Sequence, residues 1–328
     1  MKKNQDIITE KIEPKKRQNE KMLNFISDYL SDKGIKLFEE CSTFNLFITT
    51  KDKEKKKMVS SNSCKNRFCP VCAYRKARKD AMTLSVIMTA IKEELTYDYL
   101  FLTLTTPNVQ SENLIDEINR FNKSFKKLME RNRFKKISKG YVRKLEITYN
   151  KERNDYNPHF HVVIAVNKSY FTDKDYYISQ SEWLENWRQV TGLTGITENG
   201  HDEITQLSIK KVRQGNGKNS TDSAISEIAK YSAKDSDMVE SPKVFDTLYK
   251  ALKGRQVITF NGIFKDYKKK FENGQLDKYK EIDENQYIWK LLTEWNSTNR
   301  KFERIFEAMN DYELKKYNGL PVDELEVE

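Results

Sequence analysis

The segment NPHFHVVIAV, residues 157–166, contains two of the three histidines in the chain. Its apolar composition predicts a β-strand, in which alternate residues share a face. His159 and His161 would therefore point the same way, about 7 Å apart along the strand. Two imidazoles side by side on a half-open sheet face are typical of a site for a divalent metal ion. The alternative is that both histidines are ordinary solvated residues of the strand with no functional role. His201, in a loop, is interpreted as a histidine without a functional role.

A carboxylate on the preceding strand strengthens the metal-site interpretation. Residues 141–149, YVRKLEITY, predict a strand that pairs with residues 158–166 through a hairpin. With the turn centred near Arg153, Glu146 would lie roughly across from His161. Two histidines and one carboxylate leave coordination positions open for water or phosphate oxygens. Because such a site must release phosphate oxygens and turn over, Mn²⁺ or Mg²⁺ is favoured there over Zn²⁺.

A candidate nucleophile lies in the segment TDSAISEIAKYSAKDSD, residues 221–237. The pattern predicts a helix from about Thr221 to Lys234, with Glu227, Tyr231 and Lys234 on one face. Free tyrosine has a pKa of about 10 and is a poor nucleophile at neutral pH. The metal would have to polarise the phosphate that Tyr231 attacks, and Lys234 would stabilise the developing negative charge. An ordinary amphipathic helix is the alternative interpretation.

All four cysteines fall within residues 41–72, as Cys41 followed by Cys64, Cys69 and Cys72. The CPVC turn has the tight spacing of structural zinc sites, in which four thiolates surround Zn²⁺. A disulfide framework is disfavoured for a large cytoplasmic protein, and an independent buried thiol at Cys41 is the other alternative. Basic residues surround the cysteines and are candidates to bind DNA phosphates: Lys65, Arg67, Arg75, Lys76, Arg78 and Lys79.

The remaining patterns predict a mixed fold of helices and strands. Apolar residues at helical spacing indicate helices at Phe25–Phe38, Arg75–Leu95 and beyond Ser111, and a short helix carries Trp183 and Trp187, which are interpreted as core anchors. The hairpin favours antiparallel pairing, so the fold class is α+β with flanking helices. Four regions are expected: a mobile basic arm (1–22), a zinc- and DNA-binding region (23–96), a catalytic domain (97–240) and a mainly helical C-terminal region (241–328).

Composition narrows the class of partner. The chain has 328 residues, a net charge of +10 and basic clusters along its length, which favour a polyanion such as nucleic acid. An anionic membrane surface is the second choice. Apolar runs are far shorter than the ~20 residues that span a bilayer, and no apolar segment follows the basic N-terminus. We therefore expect a soluble, cytoplasmic protein.

Four segments occur in the order FLTLTTPN, RKLEITYN, NPHFHVVIAV and EIAKYSAKDSD. Together they resemble the motif series of the rolling-circle replication initiators of small bacterial plasmids, in the HUH endonuclease superfamily. The match is to the subgroup with one tyrosine and one glutamate on the active helix, and it covers about residues 41–270. The resemblance implies an HUH-type antiparallel sheet preceded by a four-cysteine zinc segment. It also implies that His159 and His161 are the metal-binding pair, with Glu146 as the third ligand. Tyr231 would be the nucleophile, and Glu227 would activate water in the closing reaction.

That resemblance implies an enzyme that nicks one strand at a plasmid origin through a 5′-phosphotyrosine intermediate. Its partners would be double-strand origin DNA, presented as a hairpin or a single-stranded nick site, and the host helicase and DNA polymerase. Two other functions stay open. A single-tyrosine transposase or mobilisation relaxase would share the chemistry, whereas a zinc-containing DNA-binding regulator would have no catalytic activity.

Overall fold

The computed structural model describes residues 7–204, 206–213, 221–230 and 233–318. Within them, the strands are β1 (Phe44–Thr50), β2 (Lys56–Ser61), β3 (Asp98–Thr105), β4 (Ser138–Asn150), β5 (Asp155–Val166), β6 (Leu207–Lys211), β7 (Ile258–Gly262), β8 (Tyr287–Asn296) and β9 (Lys301–Ala308). The α-helices are α1 (Glu13–Ile26), α2 (Asp32–Glu39), α3 (Pro70–Leu95), α4 (Leu114–Glu130), α5 (Asn132–Ile137), α6 (Gln180–Thr191), α7 (Thr221–Ala229), α8 (Asp235–Met238), α9 (Pro242–Leu252), α10 (Ile263–Glu272) and α11 (Asp311–Tyr317).

The chain divides into two compact units, one formed by residues 1–79 with 277–328 and the other by residues 80–276. Each unit contains an antiparallel sheet with flanking helices. The α+β class predicted from the sequence is therefore confirmed. In the described part of the chain, no helix is both long and apolar enough to cross a membrane.

The sheet of the first unit combines strands that are far apart in the sequence, in the order β2-β1-β8-β9. Phe47 of β1 pairs with Leu291 of β8, and both are buried with Phe302 of β9. The expectation of a mainly helical region over residues 241–328 is wrong for residues 287–308, which contain the strands β8 and β9. Apolar residues there recur at helical spacing, as at Ile288, Leu291 and Trp295, which favours a helix. Pairing with β1 instead buries alternate residues on one side of β8, namely Tyr287, Leu291 and Thr293.

Residues 8–26 are helical, so the expectation of a mobile arm is wrong for this part of the N-terminus. Ile8, Ile12, Met22 and Ile26 are buried at 0–4 % exposure. Their spacing of three to four residues or multiples of it places them on one side of a helix. The many charged residues between them concealed this apolar stripe in the sequence.

The second unit is built on a five-stranded sheet with the order β6-β3-β5-β4-β7. Phe160 of β5 stacks on Phe121 of α4, with ring centroids 4.2 Å apart. Trp187 of α6 packs edge-on against the same Phe121. Trp183 and Trp187 are fully buried, which confirms their interpretation as core anchors. With one face of β5 filled in this way, the histidines that alternate with Phe160 lie on the opposite face.

Candidate metal and nucleophile site

The β4–β5 hairpin places one carboxylate and two imidazoles on the same sheet face. Glu146 lies directly across from His159, and Lys144 lies across from His161. The expected pairing of Glu146 with His161 is therefore wrong by two residues, because the hairpin turn is centred between Glu152 and Arg153 rather than beyond Arg153. A shift of two residues keeps every side chain on the same face, so the three groups still meet.

The distances between these groups suit a shared metal ion. Oε2 of Glu146 lies 3.1 Å from Nε2 of His161 and 3.5 Å from Nε2 of His159. Metal–ligand bonds of 2.0–2.2 Å separate neighbouring ligand atoms by roughly 3 Å in an octahedron. One atom from each residue lies within 4.8 Å of the others. The three side chains can therefore hold one divalent ion between them.

Hydrogen bonds fix the orientation of both rings. Nδ1 of His159 lies 3.2 Å from the carbonyl oxygen of Asn157, which can only accept, so the ring donates from Nδ1 and turns Nε2 toward Glu146. Nδ1 of His161 lies 3.4 Å from the Thr103 hydroxyl. Such contacts on the far nitrogen orient metal-binding histidines and set their tautomer.

The loop after β3 supports the same end of β5. The Asn157 amide donates to the carbonyl of Thr106 at 3.1 Å and to Oδ1 of Asn108 at 2.8 Å. Asn108 in turn donates to Asp155 at 2.7 Å. These contacts hold the TTPN turn against the strand that carries the histidines.

Glu146 is ionised in this environment. Burial alone would raise the pKa of its carboxyl group, but hydrogen bonds and charge from His159 and His161 outweigh burial and hold the pKa well below its usual range. Glu146 and His161 are 9 % and 8 % exposed. A buried carboxylate with two imidazoles supplies a charged, oxygen- and nitrogen-donating site that can hold a divalent metal ion.

Helix α7 brings a second carboxylate to the cluster. Oε2 of Glu227 lies 3.8 Å from Nε2 of His161. Ala224, Ile225 and Ile228 are buried beneath the helix and anchor it. Lys230, three residues after Glu227, donates a hydrogen bond to its Oε1. The sequence interpretation missed Lys230, although its i,i+3 spacing from Glu227 was a signal that could have found it.

The single helix predicted from Thr221 to Lys234 is wrong. Helix α7 ends at Ala229, and Lys234 has an extended backbone at the start of α8, where its carbonyl accepts from the N–H groups of Asp237 and Met238. Lys234 therefore does not share a helical face with Glu227. Tyr231, the predicted nucleophile, lies outside the described residues.

Two other tyrosines near the hairpin are poorly placed to attack a phosphate at the cluster. Tyr149 is an odd number of residues from Glu146 on β4, so its side chain lies on the other face of the sheet. Its hydroxyl donates to Asn154 at 2.9 Å. Tyr156 pairs with Tyr149 in the hairpin and is 1 % exposed, and burial raises the pKa of its hydroxyl.

The four cysteines, which belong to the first unit, converge as the sequence predicts. Sγ of Cys72 lies 3.5 Å from that of Cys41 and 3.6 Å from that of Cys64, and Cys69 lies 3.6 Å from Cys41. Zn–S bonds of about 2.3 Å in a tetrahedron place sulfurs roughly 3.8 Å apart. All four are free thiols, and hydrogen bonds from Cys41, Cys64 and Cys69 lower the pKa of Cys72. The cluster therefore fits a tetrathiolate zinc site.

A buried lysine accompanies this cysteine cluster. Nζ of Lys16 donates to the carbonyls of Glu39 and Cys41 at 2.7 and 2.8 Å and to Oδ1 of Asn19. Burial lowers the pKa of Lys16, while the negative charge of Cys41 opposes that shift. The Asn19 amide also donates to Sγ of Cys69 at 3.4 Å. Helix α1 thus supplies a positive charge and a donor beside thiolates, contacts that no local sequence motif indicated.

Arg75 does not present its guanidinium group to DNA as predicted. Its Nη2 donates to Ser61 at 2.6 Å, to Asn45 at 3.0 Å and to Ser42 at 3.5 Å. The side-chain oxygens of these three residues need a hydrogen-bond donor when they are buried, and Arg75 supplies it. Other basic residues of the predicted set are exposed: Lys65, Arg67, Lys76, Arg78 and Lys79.

Purified protein is expected to contain about one tightly bound zinc ion per chain. Replacing Cys69, which is fully buried, with serine should remove that zinc and lower the melting temperature, because structural zinc contributes directly to folding. Elemental analysis and a melting curve would measure both effects. A folded, reduced preparation without zinc would contradict this expectation.

The sequence is similar to proteins of known family. The model of the replication protein family matches residues 55–303. Protein rep of Staphylococcus aureus is 55 % identical over 228 residues, covering 70 % of this chain and 94 % of that protein. Protein rep of Streptococcus pneumoniae serotype 2 is 32 % identical over 278 residues, covering 82 % and 83 %. No solved structure gives a significant match. The chain therefore belongs to the replication protein family, which confirms its resemblance to plasmid rolling-circle replication initiators.

Proposed function

We propose that this initiator nicks one strand of plasmid origin DNA and rejoins it after a round of rolling-circle replication. The observation that carries the proposal is the cluster of Glu146, His159 and His161, beside Glu227 of α7. A divalent ion bound there, Mn²⁺ or Mg²⁺, would polarise a phosphate oxygen. Tyr231 follows Glu227 by four residues in the sequence and is proposed as the nucleophile.

In the nicking step, the Tyr231 oxygen attacks the phosphorus of one phosphodiester bond. A bond forms between that oxygen and phosphorus, the bond from phosphorus to the 3′ oxygen breaks, and the tyrosine proton passes to the departing 3′ oxygen. The products are a 5′-phosphotyrosine link and a free 3′-OH, which a host polymerase could extend while a helicase unwinds the duplex. Because one phosphate ester replaces another, the step needs positioning and charge neutralisation rather than an added energy source.

Basic side chains near the cluster would supply part of that neutralisation. Lys230 bonds to Glu227 and keeps a positive charge within the same region. Lys234 is proposed to assist from outside α7, since its exposed side chain is not tied to the helix. Comparing the nicking rates of the single variants Lys230→Met and Lys234→Met measures the contribution of each lysine.

Glu227 is proposed to end the reaction. Phosphotyrosine linkage is reversible because the 3′-OH can attack it again, so a chain with one nucleophile needs another route for its final cut. Oε2 of Glu227 lies 3.8 Å from Nε2 of His161, and a phosphate held at the metal site would bring water within reach of this carboxylate as a general base. Water would then break the second phosphodiester bond, and the new 3′-OH would attack the phosphotyrosine to release a circle.

Glu227→Ala is expected to nick and form the covalent adduct within about tenfold of the wild-type rate. Its closing step should be slower by roughly 100- to 10,000-fold, which is the contribution of a general base. Replication of a plasmid with two origins in the same orientation should therefore give products longer than one unit. Product lengths on a gel measure the effect, and Glu227→Tyr should restore closure through a second covalent transfer. Unit-length circles from Glu227→Ala would leave Glu227 as a helix-surface residue with no catalytic role.

Covalent capture of a labelled origin oligonucleotide tests the proposal against a non-catalytic DNA-binding regulator. An initiator should retain label through denaturation, whereas a regulator should release it. Failure to capture any single-stranded nick-site oligonucleotide in the presence of Mn²⁺ would remove the catalytic proposal and leave the family assignment intact.

A further inference from the structure

A groove leads from the metal-binding cluster to the edge of the sheet in the second unit. A cavity of about 220 Å³ lies between α7 and the strands β3 and β6, and β6 is an edge strand. We call it the β3–β6 groove. Among its lining residues are Phe101, Thr103, Ser208, Lys210 and Ser223, with His161 and Glu227 at its inner end.

Strand register orders the side chains on the floor of the groove. His161, Thr103 and Ser208 lie opposite one another on three adjacent strands. Phe101 and Lys210 form the next row, directly opposite each other on β3 and β6. A hydroxyl-lined row therefore runs outward from His161, and an aromatic ring and a lysine run alongside it.

The Phe101 ring lies nearly parallel to the ring of His161. Its centroid lies 5.8 Å from that of His161, with 17° between the planes, and the side chain is only partly buried. A partly exposed phenylalanine beside a charged cluster is not needed to fill the core, which is packed by Phe160 on the other face. An accessible aromatic face of this kind is what a nucleobase stacks on.

Lys210 supplies charge at the mouth of the groove. It is exposed, whereas its neighbour Lys211 is engaged by Asp98 at 3.0 Å and by the ring of Phe171. A lysine, hydroxyl groups and one aromatic face are the combination that binds the phosphates and bases of single strands. The cavity is smaller than the roughly 300–1,000 Å³ pockets that hold larger ligands, so it has room for about one base.

We propose that the β3–β6 groove binds single-stranded DNA next to the scissile phosphate, with one base stacked on Phe101 and a phosphate near Lys210. This rests on the proposed nicking function and names how that site takes its substrate. The stacked base belongs to the nucleotide adjoining the scissile phosphate, because the Phe101 ring is only one ring-width from His161. Extrusion of that nucleotide from duplex DNA explains why a single-stranded or hairpin form of the origin would be cut.

The test uses full-length protein and a fluorescein-labelled, mixed-sequence single strand of 12 nucleotides, with chelator present so that no cleavage occurs. Phe101→Leu should weaken binding about 5- to 100-fold, the effect typical of losing one base–aromatic stack, and Phe101→Tyr should restore it. Lys210→Gln should lower the slope of log affinity against log salt by about 0.7. Lys243→Gln, at an exposed lysine of α9 outside the groove, should leave the slope unchanged. The same strand in duplex form should be insensitive to Phe101→Leu.

Crosslinking identifies the contact directly. Strands carrying 5-iodouracil should crosslink to Phe101 on irradiation, and the modified peptide is identified by mass spectrometry. Wild-type affinity in Phe101→Leu, or crosslinks that avoid β3 and β6, would overturn the groove proposal even if nicking occurs. Loss of Mn²⁺ binding in Phe101→Leu would also overturn it, since Phe101 would then act only by supporting His161. Specific single-strand binding without nicking would instead count against the proposed function alone.

Discussion

Tyr231→Phe abolishes the covalent protein–DNA adduct in our account, with nicking reduced by at least about 10,000-fold, as for loss of a catalytic nucleophile in other enzymes. Only the attacking oxygen is removed, so folding and DNA binding should be retained. The measurement is adduct yield with a labelled nick-site oligonucleotide in the presence of Mn²⁺, alongside binding by fluorescence anisotropy.

Tyr149→Phe is the matched control for this prediction. Tyr149 lies on the sheet face opposite Glu146, and its hydroxyl donates to Asn154. This control should therefore form adduct at nearly the wild-type rate. An unchanged adduct in Tyr231→Phe, or its loss in Tyr149→Phe, would move the nucleophile away from the segment after α7.

His161→Ala is expected to lose metal-dependent nicking by at least about 100-fold, because even residues that only orient metal ligands typically cost 10- to 100-fold. His161 contacts Glu146 at 3.1 Å and lies 3.8 Å from Glu227, so its loss removes a ligand at the centre of the cluster. Duplex binding should persist, since basic surfaces supply most non-specific affinity for DNA. Calorimetric titration with Mn²⁺ measures metal binding directly and does not depend on catalysis.

His201→Ala is the control for removing an imidazole. His201 is exposed in a loop and is not part of the metal-binding group formed by Glu146, His159 and His161. It should bind Mn²⁺ and nick as the wild type does. Full nicking by His161→Ala, or by the wild type in excess chelator, would contradict a metal role for the cluster.

The sequence predicted the parts of the site that depend on local periodicity. Alternation along β5 placed His159 and His161 together, and the hairpin brought Glu146 to them, because a strand has a fixed period of two. The cysteine spacing likewise predicted a common cluster. The exact register of the hairpin could not be read from the sequence, since an error of two residues leaves the pattern of faces unchanged.

Features set by distant pairing were not predicted. Strand β8 pairs with β1, more than 200 residues away, and β9 pairs with β8; nothing in the C-terminal sequence alone specifies β1 as the partner. Lys16 reaches the cysteine cluster through carbonyl groups, which carry no side-chain signature. The end of α7 at Ala229 also escaped prediction, because no glycine or proline marks it between Thr221 and Lys234.

The most direct test of the account is the chemistry of the DNA ends after nicking. Supercoiled plasmid carrying the origin is incubated with protein and Mn²⁺, and the nicked strand is digested and analysed by mass spectrometry. We expect the 5′ phosphate to be linked to the peptide that contains Tyr231, and the 3′ end to be a free hydroxyl that a polymerase extends. A protein-free 5′ phosphate, or protein linked to the 3′ end, would contradict the account.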